Sequence, residues 1–312
     1  MLFLAAFFQK LPGILYSCKV GKVFVCFYFC KSLFYNMRKN LFSVMAVVLC
    51  ATFFSCRNTN PVNGESVSDA DSVSAPKKVM THVKVVGDFY QITNIGSVDV
   101  VFSEGDYKID VECDSSLFPY VSTTFDSGTL TVFMRREEKG EVGWTGKSNV
   151  TLYVSCPLIK YIAVCGGGSF KSVGTIHSTD VQIGNLGTGS IELDSVVCET
   201  FEHELRTEAN AVFKHVTCDR AKFLSYGSGT IQSDIDAGSV YAAIGGEGDM
   251  ECNFRSDDVE ISSFSSGNAV FNLDCKQLNA SLQGTGKIIL NGHSDRKLVK
   301  TGRNAVVEDN LR

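Results

Sequence analysis

The chain has 312 residues, with 29 Lys or Arg, 34 Asp or Glu and 12 cysteines. Six of the bases and none of the acids lie before residue 56, which leaves 23 bases against 34 acids and a net charge of −11 beyond that point. Such a balance repels nucleic-acid phosphates and anionic lipid headgroups, so neither is an expected electrostatic partner.

Residues 1–36 are apolar, broken by Lys10, Lys19, Lys22 and Lys31. They make little sense upstream of a signal segment and read as a spurious extension, with translation expected to begin at Met37; a membrane-associated extension is the alternative. Residues 37–55 have the anatomy of a secretory signal. Met37-Arg38-Lys39-Asn40 is basic, Leu41 to Phe54 is an apolar run, and Ser55 precedes Cys56. The run is too short to span a bilayer. A small residue followed at once by Cys resembles a bacterial lipoprotein signal, which implies a lipid-bearing N-terminus at Cys56. An ordinary cleaved signal is the alternative. Residues 56–78, rich in Asn, Ser, Asp and Pro, read as a flexible tether.

Residues 79–156 carry strand patterns without an evident repeat. Tyr107 to Cys113 alternates polar and apolar, Asp126-Ser127-Gly128 is a turn signal, and Thr129 to Phe133 and Val150 to Val154 follow as strands. This reads as a β-rich cap stacked on the first coil of a repeat that begins beyond it. Between two of these strands, the polar loop 135–149 holds the only Trp, Trp144, a candidate platform for a sugar ring.

From residue 157 to 312 a period of about 20 residues takes over. Gly166-Gly167-Gly168, Gly187-Thr188-Gly189, Gly227-Ser228-Gly229, Gly246-Glu247-Gly248 and Gly284-Thr285-Gly286 are small-residue corners, with weaker copies at Thr207-Glu208-Ala209 and Ser265-Ser266-Gly267. The closing residues Gly168, Gly189, Ala209, Gly229, Gly248, Gly267 and Gly286 are spaced 21, 20, 20, 19, 19 and 19 apart. Two and four residues later come inward candidates such as Ile191 and Leu193, Ala211 and Phe213, and Ile288 and Leu290. Period-2 alternation within a repeat of this length predicts an all-β fold, a single-stranded parallel β-helix or β-solenoid. At about 4.8 Å per coil, seven coils make a rod of roughly 34 Å. Five residues past each corner, Asp194, Lys214, Asp234, Asn253, Asn272 and Asn291 are expected to form a structural turn ladder in left-handed backbone geometry. Residues 298–307 read as a degenerate eighth coil that caps the far end.

Chemistry-bearing patterns are sparse. The Gly-x-Gly corners lack the following helix that a phosphate site needs. No Cys-x-x-Cys occurs, and His82, His177, His203, His215 and His293 are not at metal-ligand spacing, so no metal and no cofactor is expected. Cys198 and Cys218 occupy equivalent places on neighbouring coils and read as core fillers or, in an exported protein, a disulfide. Glu192, Gln232 and Glu251 share an outward register. With Trp144 and Tyr226, Glu192 and Glu251 are the candidate ligand-binding residues; no catalytic residue is assigned.

Three ordered features carry a family resemblance. They are Phe89-x-x-Ile92 with Gly96-x-Val98-Asp99-Val100; Gly128-x-Leu130-x-Val132; and Val154-x-Cys156-Pro157-Leu158-x-x-Ile162-x-Val164-x-Gly166-Gly167-Gly168. Over roughly residues 80–295 the chain resembles the auto-transporter adhesin "head GIN domain" family, also described as a domain of unknown function. Cys165 departs from the Ser that is more usual beside the glycine corner. The resemblance implies an exported Bacteroidetes-type lipoprotein with an adhesive role and no established catalytic residues. The expectation is therefore a lipid-anchored adhesin or envelope binding protein without catalysis. It would sit in the cell envelope as an outer membrane lipoprotein, periplasmic or surface-exposed, with a glycan or protein ligand. A polysaccharide-acting lyase or hydrolase, and a structural or assembly module, are the alternatives.

Overall fold

The computed structural model describes residues 78–135 and 149–312. The signal segment, the start-codon reading, Cys56, Trp144 and all of the tether except Lys78 lie outside the described residues. Within them the fold is all-β, with one turn of 3-10 helix at Phe118–Tyr120 and no helix long and apolar enough to cross a membrane.

The regular part contains β8 (Tyr161–Val164), β9 (Phe170–Ser172), β10 (Thr175–His177), β11 (Asp180–Asn185), β12 (Ile191–Leu193), β13 (Ser195–Leu205), β14 (Ala211–Ser225), β15 (Ile231–Ile244), β16 (Met250–Ser263), β17 (Ala269–Leu282), β18 (Lys287–Thr301) and β19 (Val306–Leu311). Each coil pairs in parallel with the next, in the register the period predicts: Ile191, Ala211, Ile231, Met250, Ala269 and Ile288 stand in one column. The protein is a parallel β-solenoid with coils about 19 residues apart.

Burial parity shows where the chain bends. In β15, Ile231, Ser233, Ile235 and Ala237 are buried at every second residue, and the parity then jumps to Val240, Ala242 and Ile244. The jump falls at Gly238 and Ser239 and marks a second bend opposite the glycine corner. β14 has an additional jump, because Lys214 and His215 both face out and the register shifts between Phe213 and Val216. That bulge is why the coil ending at Gly229 is one residue longer than the coils after it.

Lys214, Asp234, Asn253, Asn272 and Asn291 lie inside these long strands, while Asp194 sits at a bend between β12 and β13. Asp234, Asn253, Asn272 and Asn291 are paired Cα to Cα on successive coils. The only described non-glycine residue with positive φ is Ser127, so the expected left-handed geometry does not occur at the ladder. Pleated strand continues through these positions because the residues on either side, such as Ser233 and Ile235 or Phe271 and Leu273, are both buried on the core face.

The N-terminal region departs further from expectation. β2 (Gln91–Asn94) and β3 (Asp99–Glu104) form a coil with its own corner at Ile95 to Val98, stacked directly beneath β8 and β9. Beneath that coil lie β6 (Thr129–Met134) and β7 (Thr151–Cys156), also in parallel. β1 (Lys78–His82), β4 (Lys108–Asp114) and β5 (Val121–Asp126) close the end through antiparallel pairs, β1 with β4, β4 with β7 and β5 with β6. Ser127 and Gly128, at φ of 50° and 79°, make the tight hairpin between β5 and β6. Two solenoid coils therefore lie within the segment read as a non-repeating cap, and they stack in the reverse of their chain order.

The core is continuous from Phe89 to Leu290. Phe201, Phe213, Phe223, Phe254 and Phe271 form a chain of ring contacts with centroids 5.1–6.0 Å apart. Each such side chain, fully buried, stabilises the fold by about 1.5–3 kcal/mol. His203 lies among them, 1% exposed. Its Nε2 is 3.0 Å from Asn185 Oδ1, while Nδ1 is buried without a partner. Burial holds its pKa down at about 3, so the ring is neutral in the folded protein.

Candidate ligand-binding surface

The glycine corners come first, because they divide the surface in two. A Cβ at Gly229 would lie 1.7 Å from the Ala209 carbonyl oxygen, and one at Gly189 would lie 1.8 Å from that of Gly168. Glycine is required here by the approach of stacked backbones. Corner N–H groups are also consumed by the stack: Gly189 N–H donates to Gly166 O at 2.9 Å and Gly248 N–H to Gly227 O at 3.1 Å. Those N–H groups are taken up within the stack and are not offered to a phosphate.

After each corner the chain builds one outer face, here the post-corner face, where many side chains bond a neighbour on the next coil. Glu192 accepts from Lys214 at 2.6 Å and lies 3.4 Å from Lys171; Asp194 is 2.7 Å from the same Lys214. Lys214 draws the pKa of both carboxyls down, and Asp194, then Glu192, holds its ammonium above the ordinary lysine range. Arg255 bridges Asp234 at 2.8 Å and Asp236 at 3.8 Å. Above it Asn272 donates to Asn253 at 2.8 Å, Asn291 to Asn272 at 3.1 Å and Asn310 to Asn291 at 2.9 Å. A parallel ladder, not singled out in the sequence, closes the corners: Asp99 accepts from Ser169, Asn210 from Thr230, Asp249 from Asn268 and Asn268 from Lys287. The recurring Asp, Asn, Ser and Thr immediately after each corner was the signal available for it. Of the ligand candidates on this face, Glu192 is committed to two lysines, while Glu251 is exposed and makes no ion pair among the described residues.

Before each corner lies the other outer face, and it is organised differently. Outward pairs from five successive coils form a groove of about 480 Å³. They run Thr200 with Glu202, Arg220 with Lys222, Ser239 with Tyr241, Asp258 with Glu260, and Gln277 with Asn279. The volume falls within the roughly 300–1,000 Å³ of ordinary ligand clefts. Lys222 reaches Glu202 only at 3.8 Å, and Arg220 contacts just the Thr200 hydroxyl, at 3.3 Å. Asp258 and Glu260 have no cationic partner within ion-pair distance among the described residues. Tyr241 is half-buried at the centre.

Tyr226, the third ligand candidate, stands at the corner above this groove and is 52% exposed. Gly245 on the next coil makes room for its ring, since a Cβ there would lie 3.0 Å from Tyr226 Cδ1. The phenol pKa is raised, first by burial and next by Tyr241. On its other side Tyr226 borders a more open groove of about 840 Å³ over the corners, together with Phe264, which is 61% exposed. The structure thus places Tyr226 at the corners, and puts Glu192 and Glu251 on the post-corner face.

The described residues contain no group of three or more His, Cys, Asp or Glu that could hold a metal ion. Cys198 and Cys218 pair on adjacent strands and are free thiols, as are Cys113, Cys156, Cys252 and Cys275. Burial pushes Cys156 and Cys252 up to about 12, which makes them inert core residues.

No curated protein is similar enough to this chain to count as a match. Among solved structures, a "putative adhesin" from Parabacteroides distasonis is 17% identical with a TM-score of 0.63, over 75% of this chain and 97% of that one. A "putative lipid binding protein" from the same species is 19% identical at a TM-score of 0.57, over 74% and 96%. A "putative adhesin" from Bacteroides fragilis is 16% identical at 0.53, over 76% and 98%. At these identities the likeness is one of fold. A family model covers residues 88–255, more than half of the chain, and takes in the coils from β2 to the middle of β16; the chain belongs to the family described as "putative auto-transporter adhesin, head GIN domain".

Proposed function

We propose that the protein is an exported, lipid-anchored binding protein of the cell envelope, adhesive in role and without catalysis. Membership of an adhesin-named family supports an envelope location. The signal-like segment 37–55 and Cys56 support the anchor, and the Asn- and Ser-rich tether would hold the head off the membrane. The observation that carries the binding role is the contrast between the two outer faces. On one, Lys214, Arg255 and the asparagine ladder bond their neighbours; on the other, Arg220, Asp258 and Glu260 have no ion-pair partner among the described residues along a groove.

Non-catalysis is supported by the carboxyls. Glycoside cleavage needs one carboxyl held up as an acid beside a second. Every described carboxyl with a shifted pKa is shifted down: Asp110, Glu112, Asp114, Glu192, Asp194 and Asp309, each by hydrogen bonds from neighbouring groups.

Protease shaving of intact cells, with mass spectrometry of the N-terminal peptide, tests the reading. Removal of the head together with an acylated Cys56 is expected of a surface lipoprotein. A head that survives in intact cells moves the binding role to the periplasm, and an unacylated N-terminus removes the anchor.

A further inference from the structure

The groove on the pre-corner face has a composition that narrows its ligand, an inference that rests on the binding reading above. Its outward residues come in pairs at the coil spacing of about 4.8 Å. That spacing is close to the rise of one sugar along an extended β-1,4-linked chain. A polymer running along the solenoid axis would therefore meet one pair of side chains per sugar, in register over several coils. Such a match between two repeats is unavailable to a protein partner that does not itself present stacked strands at that spacing.

The chemistry of successive pairs points the same way. Arg220 and Lys222 donate, Asp258 and Glu260 accept, and Gln277 and Asn279 do both. Sugar hydroxyls donate and accept in turn and can satisfy all three. Tyr241, between the donor and acceptor pairs, offers a ring face for a pyranose. A polyanion would be welcomed at Arg220 and repelled two coils on at Asp258 and Glu260, and a polycation the reverse. A net charge of −11 beyond residue 55 adds to the repulsion of a polyanion.

We infer that this groove binds a neutral, extended β-1,4-linked glycan lying across the coils from Thr200 to Asn279, with Tyr241 as its stacking platform.

The test is calorimetric titration of the purified protein with cellohexaose and chitohexaose, against polygalacturonate and chitosan hexamer. One or both neutral hexasaccharides should bind, with affinity changing less than about threefold between roughly 50 and 500 mM salt. Tyr241→Ala should weaken binding at least about tenfold, and Arg220→Gln and Glu260→Gln several-fold each. Lys214→Met, on the opposite face, should leave it unchanged. Arg220 and Glu260 are exposed, so their variants report on the groove even if Tyr241→Ala fails to fold. The inference is overturned if neither neutral hexasaccharide binds, if only a charged one does, or if binding survives all three groove substitutions. Adhesion of intact cells, measured in parallel with and without the protein, separates the two readings. Adhesion that needs the protein, with no glycan binding, sinks the groove proposal alone; cells that adhere equally well without it sink the adhesive role itself.

Discussion

The two outer faces of this solenoid are made from the same strands, yet they differ in what their side chains do. On the post-corner face Lys214, Arg255 and the asparagines from 253 to 310 each bond a neighbour on the next coil. On the pre-corner face the corresponding columns run Glu202, Lys222, Tyr241, Glu260 and Asn279, with one loose ion pair. In-register stacking puts residues of neighbouring coils directly over one another, so a column must either alternate complementary groups or bear a repulsive cost. The first face alternates. The second keeps two acids on one coil with no ion-pair partner among the described residues, which is tolerable where a ligand or water takes up the charge.

The largest effect should come from the corner that joins the faces. Gly229→Val puts a branched side chain where a Cβ alone would meet the Ala209 carbonyl oxygen at 1.7 Å. The coils must separate there, and a loss of more than about 4 kcal/mol, or failure to fold, is expected. Chemical denaturation followed by circular dichroism would show it; a near-wild-type midpoint would mean that the corners have slack.

Next comes the core behind the pre-corner face. His203 has its folded pKa lowered to about 3, below the ordinary value of 6.5. The unfolded chain therefore takes up a proton that the folded one refuses. Stability on this account is complete above about pH 6.5 and falls by about 1.4 kcal/mol per pH unit below it, down to about pH 3. His203→Phe should remove that slope, measured as unfolding midpoints at pH 7, 6 and 5. A slope that persists unchanged would assign the acid sensitivity elsewhere.

On the post-corner face the effects shrink. Asn272→Ala interrupts the amide ladder at its middle and should cost below about 1 kcal/mol, because water replaces both lost bonds. Lys214→Met should let the carboxyls of Glu192 and Asp194 rise back toward ordinary values, read by NMR titration. Smallest of all, Arg220→Gln should change stability by less than about 0.5 kcal/mol, since its side chain has no carboxylate partner to lose. An Arg220 variant that unfolds more easily than the Asn272 one would erase the distinction between the faces.

These contrasts were only partly legible in the sequence. The solenoid was, because corner spacing and alternating burial both repeat on a local scale and need no partner outside the coil. The shortening of the repeat beyond Gly229 was visible too, and its cause, the bulge at Lys214 and His215, needed the register. The groove was missed, although Tyr226 at its edge was picked. Whether Glu260 or Glu192 is paired depends on which residue stands one coil away, and Glu192 was chosen for its exposure alone. The coil formed by residues 91–104 was missed for a different reason. Its corner, Asn94-Ile95-Gly96-Ser97-Val98, resembles Asn185-Leu186-Gly187-Thr188-Gly189 at every position but the last. Yet it lies far ahead of its stacking neighbour at 161–172 in the chain and falls outside any fixed period.

That displaced coil also constrains the order in which the molecule can assemble. β2 and β3 are sandwiched between strands that arrive later in the chain, β6 and β7 on one side and β8 and β9 on the other. A chain emerging N-terminus first delivers residues 91–104 before either neighbour exists. They must wait until the chain has emerged as far as Ser172 before both of their edges are covered. The later coils need only the coil just before them. The near end is thus built from long-range closures that form slowly, and the far end by stepwise addition. The stretch from Gln91 to Glu104 is the part of this head that most needs protection from misplaced strand pairing while the chain is being made.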